Sequence, residues 1–291
     1  MRATDTPAPM SQTFRQLVTT EKPLVMPGAH DALSALLIQQ AGFKAVFMGG
    51  FPIAGVRYGV PDIGLLGARE FADAYRDMLA VTDLPALVDA DNGYGDHKNV
   101  VHVVHNLARL GVQALFFEDQ VSPKRCGHIA GKALVSTEEM CAKIRAAAGE
   151  RMRPDTFIIA RADAREVVGM DEALRRGEAY VRAGADGLFI EAPLDIEEMR
   201  TIGRTFDVPL LANMLEGGRT PILKPAQLEE LGFRLVIYGI SLLMRITKTM
   251  QAALADIKSG EFSEVGSGVG FEEYKAIVGM PAWSAIEDKY K

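Results

Sequence analysis

Apolar residues along the chain gather into eight short runs separated by longer amphipathic stretches. The runs are KPLVMPG (22–28), FKAVFMGG (43–50), LPALVDAD (84–91), VQALFFED (112–119), TFIIARAD (156–163), DGLFIEAP (186–193), VPLLANM (208–214) and FRLVIYG (233–239). Within each run the apolar positions are continuous instead of alternating, the pattern of strands covered on both faces. Between the runs lie HDALSALLIQQAG, AREFADAYRDMLAVT, HKNVVHVVHNLARLG, STEEMCAKIRAAAGE, MDEALRRGEAYVRAG, DIEEMRTIGRTF and KPAQLEELG, with SLLMRITKTMQAALADIKSG after the last, all of helical character. The Ser136–Glu139 spacing predicts a capping box at the start of one of these helices. Glycines at AGF, LGV, AGA and LGF suit the left-handed turn that closes a helix before the next strand. Strand followed by helix, repeated eight times, predicts an α/β fold, a parallel (β/α)₈ TIM barrel. A chain of 291 residues is a length that one such barrel commonly fills, so the expectation is a single domain over 1–291.

Two segments fall outside the eight units. SQTFRQLVTT reads as an N-terminal helix, and residues 266–291 read as a glycine-rich linker and a C-terminal helical tail. An amphipathic tail after such a linker either docks on its own barrel or reaches a neighbouring subunit.

Composition narrows the classes. Hydrophobic residues at 48%, charged residues at 24% and a net charge of −6 describe an ordinary globular chain, with no attraction to nucleic acid or anionic membrane expected. The opening MRATDTPAPMSQ has no signal-like apolar segment and LVIYGISLLM (235–244) is too short to span a bilayer, so a cytoplasmic location is expected. The two cysteines form no CxxC pair and no disulfide framework. Cys141 falls in a helical pattern and reads as a small packed side chain. Cys126 sits in PKRCGHIAGK beside a histidine and several cations, where the residues alone leave three roles open: metal ligand, small apolar filler, or nucleophile or acid. A CxH spacing is too tight for an ordinary zinc site. His102 and His105 share one helix face without an HExxH pattern and read as solvated or satisfied.

The strand ends carry the chemistry. In this architecture catalytic groups project from the C-terminal ends of the strands, and here the apolar runs end in Gly49, Gly50 and Phe51; Asp89 and Asp91; Glu118 and Asp119; Arg161 and Asp163; Glu191; and Asn213. A single acidic end can be a helix cap; five consecutive polar ends point to an active site. Asp89 and Asp91, two apart, would point the same way from an extended strand and need a cation between them. Oxygen donors favour Mg²⁺ over zinc, with Asp62 and Glu118 as further ligands. The alternative is that these carboxylates pair with Arg161 or Lys124.

With GGF…VPDIG, DADNGYG, FEDQ, PKRCGH, IARADA, EAP and NMLEGGRTP in place, the chain resembles the isocitrate lyase and phosphoenolpyruvate mutase superfamily from about residue 20 to the C-terminus. Within it, the likeness is to the short branch of 2-methylisocitrate and 2,3-dimethylmalate lyases. The resemblance implies Mg²⁺-dependent (or Mn²⁺-dependent) cleavage of a carbon–carbon bond in a 2-hydroxy di- or tricarboxylate, giving an α-keto acid such as pyruvate and a second carboxylate. It implies Asp89 as direct metal ligand, with Asp62, Asp91 and Glu118 holding metal waters. It implies that backbone N–H groups of Gly49, Gly50 and Phe51 bind a substrate carboxylate, and that Arg161, Glu191, Asn213 and His128 line the rest of the pocket. Lys124, Arg125, Cys126 and Gly127 would belong to a gating loop, with Cys126 the proton donor and its cationic setting lowering the thiol pKa. A homotetramer with the C-terminal helix swapped between subunits is also implied.

This chain departs from many relatives at Gly49, where serine is frequent, and at Asn92, where threonine is. Its NMLEGGRTP segment and tail look nearer to dimethylmalate lyase and the oxaloacetate hydrolase and decarboxylase relatives. Oxaloacetate hydrolysis or decarboxylation on the same site is therefore the alternative. PKRCGH disfavours a phosphonate mutase. Intact Asp89, Glu118, Cys126 and Arg161 disfavour a barrel that binds a dicarboxylate without turnover. The alkyl group accepted would depend on Phe51, Pro52, Leu215 and Tyr238.

Overall fold

A computed structural model describes residues 12–261, 263 and 266–291. Residues 1–11, where the leading segment without signal character falls, and the beginning of the glycine-rich linker lie partly or wholly outside the described residues. Eight parallel strands close into a barrel in sequence order: β1 (Leu24–Ala29), β2 (Val46–Met48), β3 (Ala86–Asp89), β4 (Ala114–Glu118), β5 (Phe157–Ala162), β6 (Gly187–Ile190), β7 (Leu210–Asn213) and β8 (Phe233–Tyr238), with β8 pairing back onto β1.

The continuous apolar runs have the expected cause. Alternate residues of each strand face opposite sides, and both sides are buried. Met26, Phe47, Leu87, Phe116, Ile159, Phe189, Leu211 and Ile237 fill the barrel interior, while Met48, Val88, Phe117, Ala160 and Val236 pack outward beneath the helices. The helix Phe14–Thr20 plugs the N-terminal mouth of the barrel: Phe14 is fully buried against Phe157, with ring centroids 5.7 Å apart, and its N–H donates to Gln113 Oε1 at 2.8 Å. The opposite mouth is left free for the strand ends.

Helices follow the strands as expected, but three local features depart from the sequence pattern. After β2 the chain turns through a short helix, Gly50–Ile53, and a π-helical turn, Ala54–Tyr58. A second short helix, Ala164–Val168, interrupts the path from β5 to the helix Met170–Arg182. At the helix Thr137–Gly149, Ser136 Oγ accepts from Glu139 N at 3.1 Å, but the Glu139 carboxylate lies 3.6 Å from Lys143, so that pair replaces the reciprocal half of the capping box.

The helix after β8, Ser241–Ser259, has no buried residue, and Met250, Leu254 and Ile257 are 53%, 65% and 62% exposed. Beyond it stand Phe271–Ile277 and Met280–Lys289, the second carrying Trp283. Gln40 donates to the Ile277 carbonyl at 2.9 Å, a link between the tail and the helix Ala32–Gln40. No helix among the described residues is long and apolar enough to cross a membrane.

Candidate active site

At the C-terminal mouth, strand alternation selects what faces inward. Phe47, Phe116, Phe189 and Ile237 floor a cavity of about 50 Å³, and Asp89, Arg161, Glu191 and Asn213, each two positions beyond an interior residue of its strand, supply its polar walls. Gly49, Gly50, Phe51, Asp62, Asp89, Cys126, Gly127, His128, Arg161, Glu191 and Asn213 all line it. A larger groove of about 660 Å³ lies between the helices Ala68–Leu79 and His97–Arg109, but none of Cys126, His128, Arg161 or Glu191 lines it. The chemistry belongs to the smaller cavity.

Arg161 is the hub. Its guanidinium lies over the Phe189 and Phe116 rings, 5.3 and 5.8 Å from their centroids, and reaches Asp163 at 3.0 Å and Glu118 at 3.3 Å. Burial alone would lower its pKa, but Asp163, Glu118 and Glu191 hold it well above the ordinary value. Beside Arg161, His128 Nε2 and Asn213 Nδ2 lie 2.8 and 3.4 Å from Glu191 Oε1. Burial would raise the Glu191 pKa; Arg161 and His128 overcome it and hold the carboxyl low.

The acidic side is built around Lys124. Its ammonium lies 2.5 Å from Asp91 and 2.6 Å from Asp62, and the residue is 4% exposed. Burial works against its charge, but Asp91, Glu118, Asp89 and Asp62 together push its pKa well up. Asp91 itself is raised to about 7, by burial first and by Asp89 and Asp62 after it, with Lys124 opposing. Glu118, 1% exposed, is raised well above the carboxylate range by burial, and neither of its side-chain oxygens has a hydrogen-bond partner. Among the described residues no group of three His, Cys, Asp or Glu side chains is arranged to hold a metal ion. Asp62 and Asp91 pair with Lys124, and Glu118 with Arg161.

Asp89 and Asp91 do approach each other, though by another route than an extended strand. β3 ends at Asp89, and Asp91 adopts φ 47°, with its N–H bonded to Asp89 Oδ1 at 2.9 Å. A Cβ on Gly50 would sit 3.4 Å from Asp89 Oδ2 and 3.6 Å from Asp91 Oδ1, so both carboxylates face one spot.

The loop bearing Cys126 is seated over the cavity. Cys126 N–H donates to the Asp62 carbonyl at 3.2 Å, and a Cβ on Gly127 would lie 2.7 Å from Glu191 Cγ. That close approach requires glycine. The half-buried Cys126 thiol is pushed up to about 11 by burial, against the opposing pull of the His128 N–H and Arg161, so the expected lowering by nearby cations is overturned. The cations are spent on carboxylates: Lys124 on Asp62 and Asp91, Arg161 on Asp163 and Glu118. Arg125 bonds the Ala130 carbonyl of its own loop at 3.3 Å and does not line the cavity.

Other expectations resolve as follows. Asp119 faces away from the cavity, accepting from Tyr180 at 2.7 Å and Arg176 at 3.0 Å. Tyr238 is displaced from the lining by its neighbours Ile237 and Gly239, on the other strand face, whereas Phe51, Pro52 and Leu215 line it. His105 is satisfied by the Glu150 carbonyl and His102 by Asn106, and Cys141 is buried. The aromatic floor was not among the residues picked from sequence, although Phe116 and Phe189 each stand two before an acidic strand end. At Gly49 the missing side chain has a local reason: a Cβ there would come within 2.8 Å of Phe47 Cε1.

A closed (β/α)₈ barrel with acids, an arginine and a loop thiol at its C-terminal mouth defines an enzyme of the TIM-barrel class. Residues 14–258 match the phosphoenolpyruvate phosphomutase family. The chain is 42% identical to a 2,3-dimethylmalate lyase of Eubacterium barkeri over 95% of its length and 96% of that protein's. It is 40% identical to a 2-methylisocitrate lyase of Halalkalibacterium halodurans, over 88% of this chain and 85% of that one. A solved oxaloacetate acetylhydrolase bound to 3,3-difluorooxalacetate superposes with a TM-score of 0.92 at 28% identity, covering 98% of each chain. A crystal structure of 2,3-dimethylmalate lyase superposes at 0.89 with 31% identity, covering 95% of this chain and 93% of that one. The chain belongs to the PEP mutase/isocitrate lyase superfamily and is a lyase.

Proposed function

We propose that the protein is a carbon–carbon lyase that cleaves a 2-hydroxy carboxylate of the 2,3-dimethylmalate or 2-methylisocitrate type to pyruvate and a second carboxylate. The observation that carries this reading is that the Cys126 loop lines the same barrel-mouth cavity as Arg161 and Glu191, with burial pushing the thiol pKa up. In the cleavage the substrate 2-hydroxyl gives its proton to the Glu191 carboxylate, whose Oε2 has no hydrogen-bond partner, the C2–C3 bond breaks, and C2 becomes the keto carbon. The bonding pair stays on C3, delocalised into the adjacent carboxylate. Arg161 faces that growing negative charge, and Cys126 delivers its S–H proton to C3. High thiol pKa keeps the proton on sulfur until such a base forms. Backbone N–H groups of Gly49 to Phe51, with His128 and Asn213, orient the substrate carboxylates.

Four buried carboxylates, Asp62, Asp89, Asp91 and Glu118, stand against two cations, Lys124 and Arg161, and Glu118 is unpartnered by hydrogen bonds. The side chains are not gathered around one point, but an all-oxygen, negatively unbalanced donor set is the chemistry that a hard divalent cation, Mg²⁺ or Mn²⁺, prefers; Asp89 would hold it, with Asp62, Asp91 and Glu118 holding its waters. When bound, the ion supplies Lewis acidity toward the substrate hydroxyl and carboxylate.

Purified protein with Mg²⁺ and either 2,3-dimethylmalate or 2-methylisocitrate should release pyruvate, read by coupling to lactate dehydrogenase. Cys126→Ser should abolish release while Mg²⁺ still raises the melting temperature. No pyruvate from either substrate would defeat the assignment. The likeness to oxaloacetate acetylhydrolase supports a second reading, hydrolysis of oxaloacetate on this site, and the same incubation with oxaloacetate separates them.

The exposed apolar face of Ser241–Ser259 supports a homotetramer in which this segment packs on a neighbour.

A further inference from the structure

The loop 124–132 is fastened by a group outside the cavity. Lys132 is 1% exposed along its side chain, and its ammonium donates to the Gly127 carbonyl and to Glu166 Oε2. The other carboxylate near it, Asp163, is 3.9 Å away and already bonded to Arg161 at 3.0 Å. The second oxygen of Glu166, Oε1, pairs with Arg219 at 2.9 Å. Arg219 belongs to the loop after β7, where its N–H donates to His128 Nδ1 at 3.4 Å and Gly218 packs on the same ring. Glu166 itself rides on the short helix Ala164–Val168, which Arg165 clamps to Glu198 through two bonds of 2.9 and 2.6 Å.

We propose that Glu166 is a positioning residue that seats Cys126 and His128. One carboxylate holds both sides of the mouth: through Lys132 it fixes the Gly127 peptide between Cys126 and His128, and through Arg219 it fixes the strand-seven loop against the His128 ring. The physical case is charge balance. A lysine ammonium this buried needs a carboxylate partner, and Glu166 is the nearest one. Without that charge, Lys132 must turn toward water, and its grip on the Gly127 carbonyl goes with it. Gly127 packs so tightly against Arg161 and Glu191 that a Cβ there would clash with both, so a displacement of its peptide carries Cys126 off the cavity.

The inference rests on the reading of Cys126 as proton donor, and its test does not need turnover. Full-length protein without substrate is treated with iodoacetamide, and alkylation of Cys126 and Cys141 is followed separately by peptide mass spectrometry. Glu166→Gln should speed Cys126 alkylation by about tenfold to a hundredfold, the range expected for losing a charged hydrogen bond, with Cys141 unchanged. Glu166→Asp, which keeps the charge, should restore much of the protection. Cys126 alkylation at the wild-type rate in folded Glu166→Gln would overturn the proposal. If Glu166→Gln fails to fold, shown by both cysteines reacting together, Arg219→Gln cuts only the half-exposed arm; a rise confined to Cys126 then supports the latch, and no rise overturns it. Wild-type protein without lyase activity but with a protected Cys126 would count against the lyase reading alone.

Discussion

Cys126 is subject to two opposing influences: burial pushes its pKa up to about 11, and cations nearby pull it down. Removal from solvent outweighs the pull of Arg161 because that guanidinium is shared among Asp163 and Glu118. The sign of the pH effect follows. With a pKa near 11 in the folded chain against an ordinary 9.0, the thiol's contribution to stability is complete below about 9 and is lost as pH climbs toward 11. Thermal melts of wild type and Cys126→Ser should therefore converge or cross over that alkaline window and run parallel at neutral pH. Parallel melts throughout would show that the thiol is not held protonated by burial.

At the scale of elements, the strand ends are held by a polar network behind them. Asp119, at the end of β4, accepts from Tyr180 and Arg176 of the helix Met170–Arg182 and from the Asp163 N–H beyond β5 at 2.8 Å. One buried carboxylate thus ties two strands and a helix together directly beneath Arg161. Asp119→Ala should cost about 1–3 kcal/mol, because it removes charged hydrogen bonds from Arg176, which keeps Glu172 at 3.2 Å, and leaves the Tyr180 hydroxyl without its carboxylate acceptor; a urea denaturation midpoint unchanged from wild type would sink that estimate. From sequence, Asp119 is indistinguishable from Glu118 as a polar strand end, although the alternation of side chains sends neighbours to opposite faces. That parity is where the sequence reading stopped short. The eight strands, their order and the convergence of Asp89, Arg161, Glu191 and Asn213 were legible, because continuous apolar runs and strand-end polarity are local patterns. The short helices Gly50–Ile53 and Ala164–Val168, the pairing of Lys124 with Asp62 and Asp91, and the φ 47° backbone at Asp91 depend on tertiary contacts and were not.

At the scale of the whole molecule, the two mouths of the barrel have different tasks. The N-terminal one is sealed by Phe14 and braced by Arg15, which pairs with Asp186 at 2.9 Å; the C-terminal one is covered by loops that Glu166 links. Between these ends and the tail there is a change in character: from Ser241 onward the described helices contain no fully buried residue, with Leu242 only partly buried against the core. An apolar helix face of this kind is stable in water when another surface covers it. Light scattering should accordingly give the mass of four chains, and deletion of residues 261–291 should lower it; a monomer at micromolar concentration would remove the proposed assembly.

The tail also gives the molecule an optical label. Trp283 is the single tryptophan of the chain, is 47% exposed, and belongs to the last helix, remote in sequence from every strand end. Its fluorescence therefore reports on what covers the tail, so dilution should shift the emission to longer wavelength as subunits part.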